Sequence, residues 1–202
     1  MARRKSADDR KMQMVEAMLR LADEVGPDRI TTGSVAAAVG LTQPGIFRHF
    51  PTKQALWLAV AETVAARLTA AWDSAVTGVE TPEMRLRALV LAQLHRIETC
   101  PALPSILFSR EMQVENAELR AAFRNTLASY QSRLTAELRA LQDSGAMPSA
   151  VAADDAAVFL TSMVQGLAIR WTLGNRSFAL VAEGGRQFDI LLAMMRRAPE
   201  GT

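Results

Sequence analysis

Within residues 43–53 the chain carries Gln43, Phe47, Arg48, His49 and Lys53, and these side chains share one kind of chemistry. A glutamine amide pairs bidentately with adenine N6 and N7, and an arginine guanidinium with guanine O6 and N7. A lysine beside the free N–H groups of a helix start suits a backbone phosphate. The equipment of catalysis is thinner. The chain has two histidines, His49 and His95, and one cysteine, Cys100, which precedes a proline. It has no phosphate-cradling glycine loop, no H-E-x-x-H and no Cys/His set at zinc spacing. Asp154 and Asp155 are adjacent at a predicted helix start, so their side chains diverge and serve as a cap pair. No enzyme, metal site or cofactor is expected.

Base-reading side chains need a slim element to carry them, and the surrounding pattern predicts short helices. Residues 6–9 offer oxygen-bearing caps and first-turn acids for a first helix. Its stripe is Val15, Met18, Leu19, Ala22 and Val25, the period of one buried face. Gly26-Pro27-Asp28 stops it. Thr31 and Thr32 offer a cap for a second helix with Val35, Ala36 and Val39 inward, and Gly40 stands where a left-handed C-cap is needed. Thr42 can cap a third helix over residues 43–50, with Pro44 in its first turn. Ile46 and Phe50 form its inner face, leaving Gln43, Pro44, Phe47, Arg48 and His49 outside. Pro51 ends it, and Thr52 can cap a fourth. Two short helices joined through residues 39–42, with the first packed across them, make a helix-turn-helix. The second of the pair is slim enough for a major groove about 12 Å wide. The other reading of this pattern is a three-helix packing unit with no partner.

The run Arg29-Ile30-Thr31-Thr32, then Val35-Ala36-Ala37-Ala38-Val39-Gly40-Leu41-Thr42-Gln43-Pro44-Gly45-Ile46-Phe47-Arg48-His49-Phe50-Pro51-Thr52-Lys53-Gln54-Ala55-Leu56, resembles the DNA-binding domain of the TetR (tetracycline repressor) family of transcriptional regulators. The match covers about residues 10–60. The resemblance implies a homodimer on a palindromic operator in double-stranded DNA, expected to act as a repressor although some members activate, its affinity altered by a small molecule that the apolar lining described below would let be hydrophobic. By position, the DNA-facing set is Thr32, Thr42, Gln43, Pro44, Gly45, Phe47, Arg48, His49 and Lys53. Phe47 stands where the family usually has tyrosine, which removes one phosphate hydrogen bond but keeps a ring for a thymine methyl. Gly33 stands where many members carry a longer polar side chain. The tail Arg3-Arg4-Lys5 either reaches an adjacent minor groove in compensation or is a solubilising end. Ile30-Thr31-Thr32 and Arg48-His49-Phe50-Pro51-Thr52-Lys53 also resemble the family's nucleoid-occlusion type, which binds many chromosomal sites. That is the alternative function.

The expected fold is therefore all-α: a helix-turn-helix DNA-binding domain over residues 1–57, then a helical effector-binding and dimerisation domain over residues 58–202. The fourth helix is predicted to run on through Leu56, Val60, Val64, Leu68 and Trp72 and so to belong to both. Beyond it the spacing predicts a helix striped by Leu86, Leu89, Val90, Gln93, Leu94 and Ile97, and a short one over residues 105–113. A long one follows over residues 116–143. Residues 156–169 carry no charge on any side, and a helix apolar all round must be buried all round. A second copy is expected to cover part of it, at Phe159, Ser162, Met163, Gly166 and Arg170. The last helix, residues 177–197, would join it through Gly184, Phe188, Leu191 and Leu192 in a four-helix dimer bundle. Ten methionines, three tryptophans and one tyrosine supply adaptable lining for an effector cavity. Gln93, His95, Tyr130 and Gln165 are its candidate polar anchors.

Composition agrees with these readings. Of 202 residues half are hydrophobic and only 5% aromatic, and the abundant Ala, Leu, Arg and Met favour helices over strands. A formal charge of +2 is too small to make the whole chain a nucleic-acid binder, but residues 1–57 hold nine Lys and Arg against six Asp and Glu. The excess is local, as a reading head requires. A lone cysteine excludes an internal disulfide. The basic N-terminus has no apolar stretch behind it, and residues 156–169 fall short of the ~20 needed to span a bilayer. A cytoplasmic chain with no membrane partner is expected.

Overall fold

Ser6 opens the first helix by a reciprocal cap: its Oγ accepts from the Asp9 N–H and the Asp9 carboxylate accepts from the Ser6 N–H, both at 3.0 Å. This box satisfies two of the N–H groups that a helix start leaves without partners. The computed structural model describes residues 6–110 and 114–196. The tail Arg3-Arg4-Lys5 lies outside the described residues, as do Gln113 and Arg197, the predicted ends of two helices. In order come α1 (Ala7–Glu24), a 3-10 turn (Pro27–Arg29), α2 (Thr32–Ala38), α3 (Gln43–Phe47) and α4 (Lys53–Val76). Then follow α5 (Pro82–Thr99), α6 (Ala102–Leu107), α7 (Ala117–Asp143), α8 (Ala153–Leu173) and α9 (Leu180–Arg196). Among the described residues there is no strand, and the all-α expectation holds. The helices gather into two units: Met1–Ala66 with Cys100–Arg124, and Arg67–Thr99 with Asn125–Thr202.

In the first unit α1 turns Met14, Val15, Met18, Leu19 and Ala22 inward. Val25, expected to extend that stripe, is exposed, because it is the C-cap and its φ of −122° has left the helix. α6 packs on α1 with Ala102, Leu103 and Ile106 buried. The prolines around α6 predict a start near residue 105; the helix instead begins at Ala102. Pro101 is its N-cap and Pro104 lies in its first turn, where proline costs no hydrogen bond. Buried Asn116 opens α7. Its Oδ1 accepts from the Leu119 N–H at 2.9 Å, and its Nδ2 donates to the Gln54 carbonyl in α4 at 3.3 Å.

In the second unit α9 packs on α5 and α8. The spacing assigns Gly184, Phe188 and Leu192 to a subunit interface, but the structure buries all three inside their own chain. Gly184 explains why. A methyl group there would overlap the side chain of Leu94, itself fully buried on α5, and one on Gly185 would press on Arg87 Nη2 at 3.1 Å. The close helix crossing that glycine permits is therefore α9 on α5 of the same chain. α8 is long and apolar enough, by length and composition, to cross a membrane, but 44% of that stretch is buried inside the protein. The uncharged run of fourteen residues seen in the sequence is thus the middle of a longer, half-buried helix.

Gly184→Val should destabilise the fold by about 1–3 kcal/mol, the usual cost of forcing extra methyls into a filled site. Urea unfolding checks this: the midpoint should fall while the slope stays constant.

Candidate nucleic-acid interface

Thr31 and Thr32 both offer a cap, and the structure chooses Thr31. Its Oγ1 accepts from the Ser34 N–H and the Ser34 Oγ accepts from the Thr31 N–H, both at 3.0 Å. That frees the Thr32 hydroxyl. α2 ends at Gly40, whose φ of +67° turns the chain left-handed, and the Leu41 N–H returns to the Ala36 carbonyl at 2.9 Å. Few residues other than glycine adopt that φ without strain. Thr42 then stands at the N-cap of α3 with extended backbone and no side-chain cap bond, and Pro44 falls in the first turn.

α3 is shorter than the eight residues the spacing predicts. Beyond Phe47 the chain continues as a tight turn, with the His49 and Phe50 N–H groups both reaching the Ile46 carbonyl at 2.9 Å. Pro51 explains the stop, since the residue before a proline is pushed out of helical geometry. Ile46 and Phe50 are buried and hold the segment down from beneath. Thr52 starts α4 by accepting from the Ala55 N–H at 3.0 Å.

What remains outside is a compact polar surface. Thr42, Gln43, Pro44, Phe47 and Arg48 are exposed, while Thr32, Gly45, His49 and Lys53 are half-buried. Phe47 is 43% exposed, so its ring is available on this surface. Two members of the set touch: Gln43 Nε2 donates to Thr32 Oγ1 at 2.8 Å. Sequence reasoning missed this bond and the Asn116 link to Gln54. The first joins side chains eleven apart in two different helices, and the second joins groups 62 apart. Neither follows from local periodicity.

The four candidate anchors of the second unit divide. Gln93 and Tyr130 meet around Trp72: the indole N–H donates to Gln93 Oε1 at 3.0 Å, and the Tyr130 ring stacks on the indole at 5.1 Å. Asp73 holds Arg133 at 2.6 Å, and the Arg133 guanidinium lies over the same indole at 5.6 Å. The Tyr130 hydroxyl is buried with no hydrogen-bond partner among the described residues, and burial pushes the phenol pKa up. The Trp57 indole N–H, in the first unit, is likewise buried without a partner. His95 and Gln165 are exposed and do not join the cluster. Among the described residues, no group of three or more His, Cys, Asp or Glu could hold a metal ion.

An all-helical chain that presents the second helix of a helix-turn-helix in this way is a helix-turn-helix DNA-binding regulator. Comparison with known proteins is consistent with that class. Residues 15–60 match the model of bacterial regulatory proteins of the tetR family, and residues 82–187 match that of the BetI-type transcriptional repressor C-terminal domain. The chain belongs to the TetR family of transcriptional regulators. Among curated relatives, the nucleoid occlusion factor SlmA of Haemophilus ducreyi is 26% identical over 118 residues, which is 58% of this chain and 58% of the relative. The chain therefore spans less than two thirds of that relative. A transcriptional regulator from Saccharomonospora viridis in complex with choline has a similar structure, with a TM-score of 0.81 at 19% identity over 92% of this chain and 96% of that one. The regulator FadR of Bacillus subtilis in complex with stearoyl-CoA gives 0.78 at 17% identity over 90% and 97%. At these identities the structural likeness speaks for the fold alone.

Arg48→Ala should leave the unfolding midpoint almost unchanged, within about 0.5 kcal/mol, because the residue is exposed. On a preferred duplex it should cost roughly 1–3 kcal/mol and relax preference at one base pair per half-site. Binding titrations on a set of single-base variants separate this from a phosphate contact, which would weaken every sequence alike.

Proposed function

We propose that this regulator acts in the cytoplasm as a homodimeric repressor of a palindromic operator, released by a small molecule held in its second unit. The residues carried by α3 and its flanks, Thr32, Thr42, Gln43, Pro44, Gly45, Phe47, Arg48, His49 and Lys53, form the DNA-facing surface. Residues 1–57 serve as the reading part and residues 58–202 as the effector and dimer part. The repressor sign is supported by the C-terminal match to a BetI-type transcriptional repressor.

The observation that carries the dimer is the exposed face of α8 and α9. Val158, Phe159, Ile169 and Leu173 on α8, with Ile190 and Met194 on α9, are large apolar side chains open to water; Phe159 is 56%, Leu173 82% and Met194 64% exposed. Ser162, Gln165, Gly166 and Arg170 fall on the same turns of α8 and are exposed too. Met163 and Leu191 are half-buried beside them. Gln165, a candidate anchor for the effector, fits this outer face better than an interior cavity. Apolar area of this extent is expected to be covered. A two-fold axis through it doubles the reading surface, and the symmetry of the pair makes the operator a palindrome.

The effector reading is supported by Tyr130. A buried hydroxyl with no partner costs about 1–3 kcal/mol, which an acceptor on a ligand would offset. Beside that hydroxyl, Gln93 has the N–H groups of its amide, its Oε1 being taken by the Trp72 indole. Proteins of this fold hold choline and stearoyl-CoA, so the fold accommodates both a small cation and a long acyl chain. α4 is common to both units, so a ligand that displaces Trp72 acts on the helix that begins at Lys53. The nucleoid-occlusion alternative has weak support from the curated relatives, at 26–28% identity over 58–59% of their length. Genome-wide occupancy discriminates the two: a few sites beside operons for the repressor, many scattered sites for the alternative.

Sedimentation should show the parent protein as a dimer and Gly166→Leu shifted toward monomer, with the helical content of both unchanged. A monomeric parent would remove the proposal. Separately, Tyr130→Phe should melt no lower than the parent, because it deletes a group that gains nothing in the unliganded fold. A loss above about 1 kcal/mol would reveal a hydrogen bond to that hydroxyl.

A further inference from the structure

We propose that Thr32 is a positioning residue that fixes the amide of Gln43 for adenine, and so sets sequence preference without itself touching a base. The inference rests on the DNA-facing reading of α3. A free glutamine side chain has three rotatable bonds and an amide that turns to present either its oxygen or its nitrogen. Such a group satisfies several bases and discriminates poorly among them. Here one Nε2 hydrogen is committed to Thr32 Oγ1 at 2.8 Å. That bond holds the amide in place with its nitrogen toward Thr32, and it leaves Oε1 and the second N–H for a partner. One acceptor and one donor side by side are what adenine N6 and N7 require.

The surroundings fit a buttress. Thr31 takes the capping role for α2, which leaves the neighbouring Thr32 hydroxyl to serve Gln43. Thr32 is half-buried and Gln43 exposed, so the anchored end of the bond is the ordered one. Ordering a free glutamine on binding costs side-chain entropy. A bond formed before binding meets part of that cost and improves discrimination by preorganisation. Gly33 beside it carries no side chain that could compete for the amide.

The experiment selects duplexes from a randomised pool with the full-length protein, then measures binding on every single-base variant of the winning sequence. Gln43→Ala identifies the adenine that Gln43 reads. Thr32→Val, close in shape but without the hydroxyl, should relax preference at that same base pair, the ratio of adenine to other bases falling about three- to tenfold. The loss should be larger on sequences that carry that adenine than on sequences that lack it. Thr32→Ser restores the hydroxyl and should restore the ratio, which a purely structural role would not do if both variants melt like the parent. Equal weakening on all sequences would make Thr32 a backbone contact and overturn the inference. An unchanged ratio would overturn it as well. If the parent protein enriches no sequence at all, the DNA-facing reading fails first, and that outcome is recognisable before any variant is made.

Discussion

α3 is five residues long, and no helix of that length holds its shape alone in water. The conformation of its outer face is therefore imposed from below. Ile46 and Phe50, buried beneath it, pin the two ends of one turn, and the Ile46 carbonyl accepts from both His49 and Phe50. α2 supports it from the side through the left-handed turn at Gly40. The shared exposure of Gln43, Phe47 and Arg48 follows from this. A short segment can be exposed on three sides because the fourth is fixed by hydrophobic burial and by a turn that only a few residues adopt.

The same economy of local signals continues into α4. Thr52 caps it, and its first turn is tied by the Gln54 carbonyl to Asn116. Asn116 spends its other atom on starting α7. One buried side chain thus caps α7 and ties it to α4. Removing it would leave the Leu119 N–H unpaired in the interior, at roughly 1–3 kcal/mol. This explains why Cys100–Arg124 gathers with the N-terminal helices although it lies far along the chain.

Helix ends were the most legible part of the sequence, because caps act through neighbours three or four residues away. Ser6, Gly40 and Thr52 mark boundaries that the structure keeps. Prolines were legible only in part. Pro101 and Pro104 break a helix interior, yet in a first turn they cost nothing, and which case applies depends on where the helix begins. On α3 and its flanks, the exposure of Gln43, Pro44, Phe47 and Arg48 was legible from period and turn chemistry, but the bond between Gln43 and Thr32 was not. Periodicity reports which face a residue lies on; it does not report which residue of another helix it meets. The same limit explains His95. Its helix was recognised, but whether the side chain faced a cavity or water depended on packing that the stripe left open.

The glycines of the second unit carry this point furthest. Gly166, Gly184 and Gly185 each cost their helices about 1 kcal/mol relative to alanine, and in sequence they are indistinguishable. In the fold they are opposites. The space above Gly184 is taken by Leu94 and that above Gly185 by Arg87, so both serve a helix crossing within the chain. Above Gly166 there is nothing within 4 Å, and the exposed face of α8 around it mixes Ser162, Gln165 and Arg170 with the apolar Phe159 and Ile169. A close approach at Gly166, if it is to offset that cost, has to come from outside the chain. The packed glycines hold α9 against α5, the open one leaves a flat place on α8, and the proposed second copy, laid across α8, would meet Ile190 and Met194 on the helix that the first pair keeps in position.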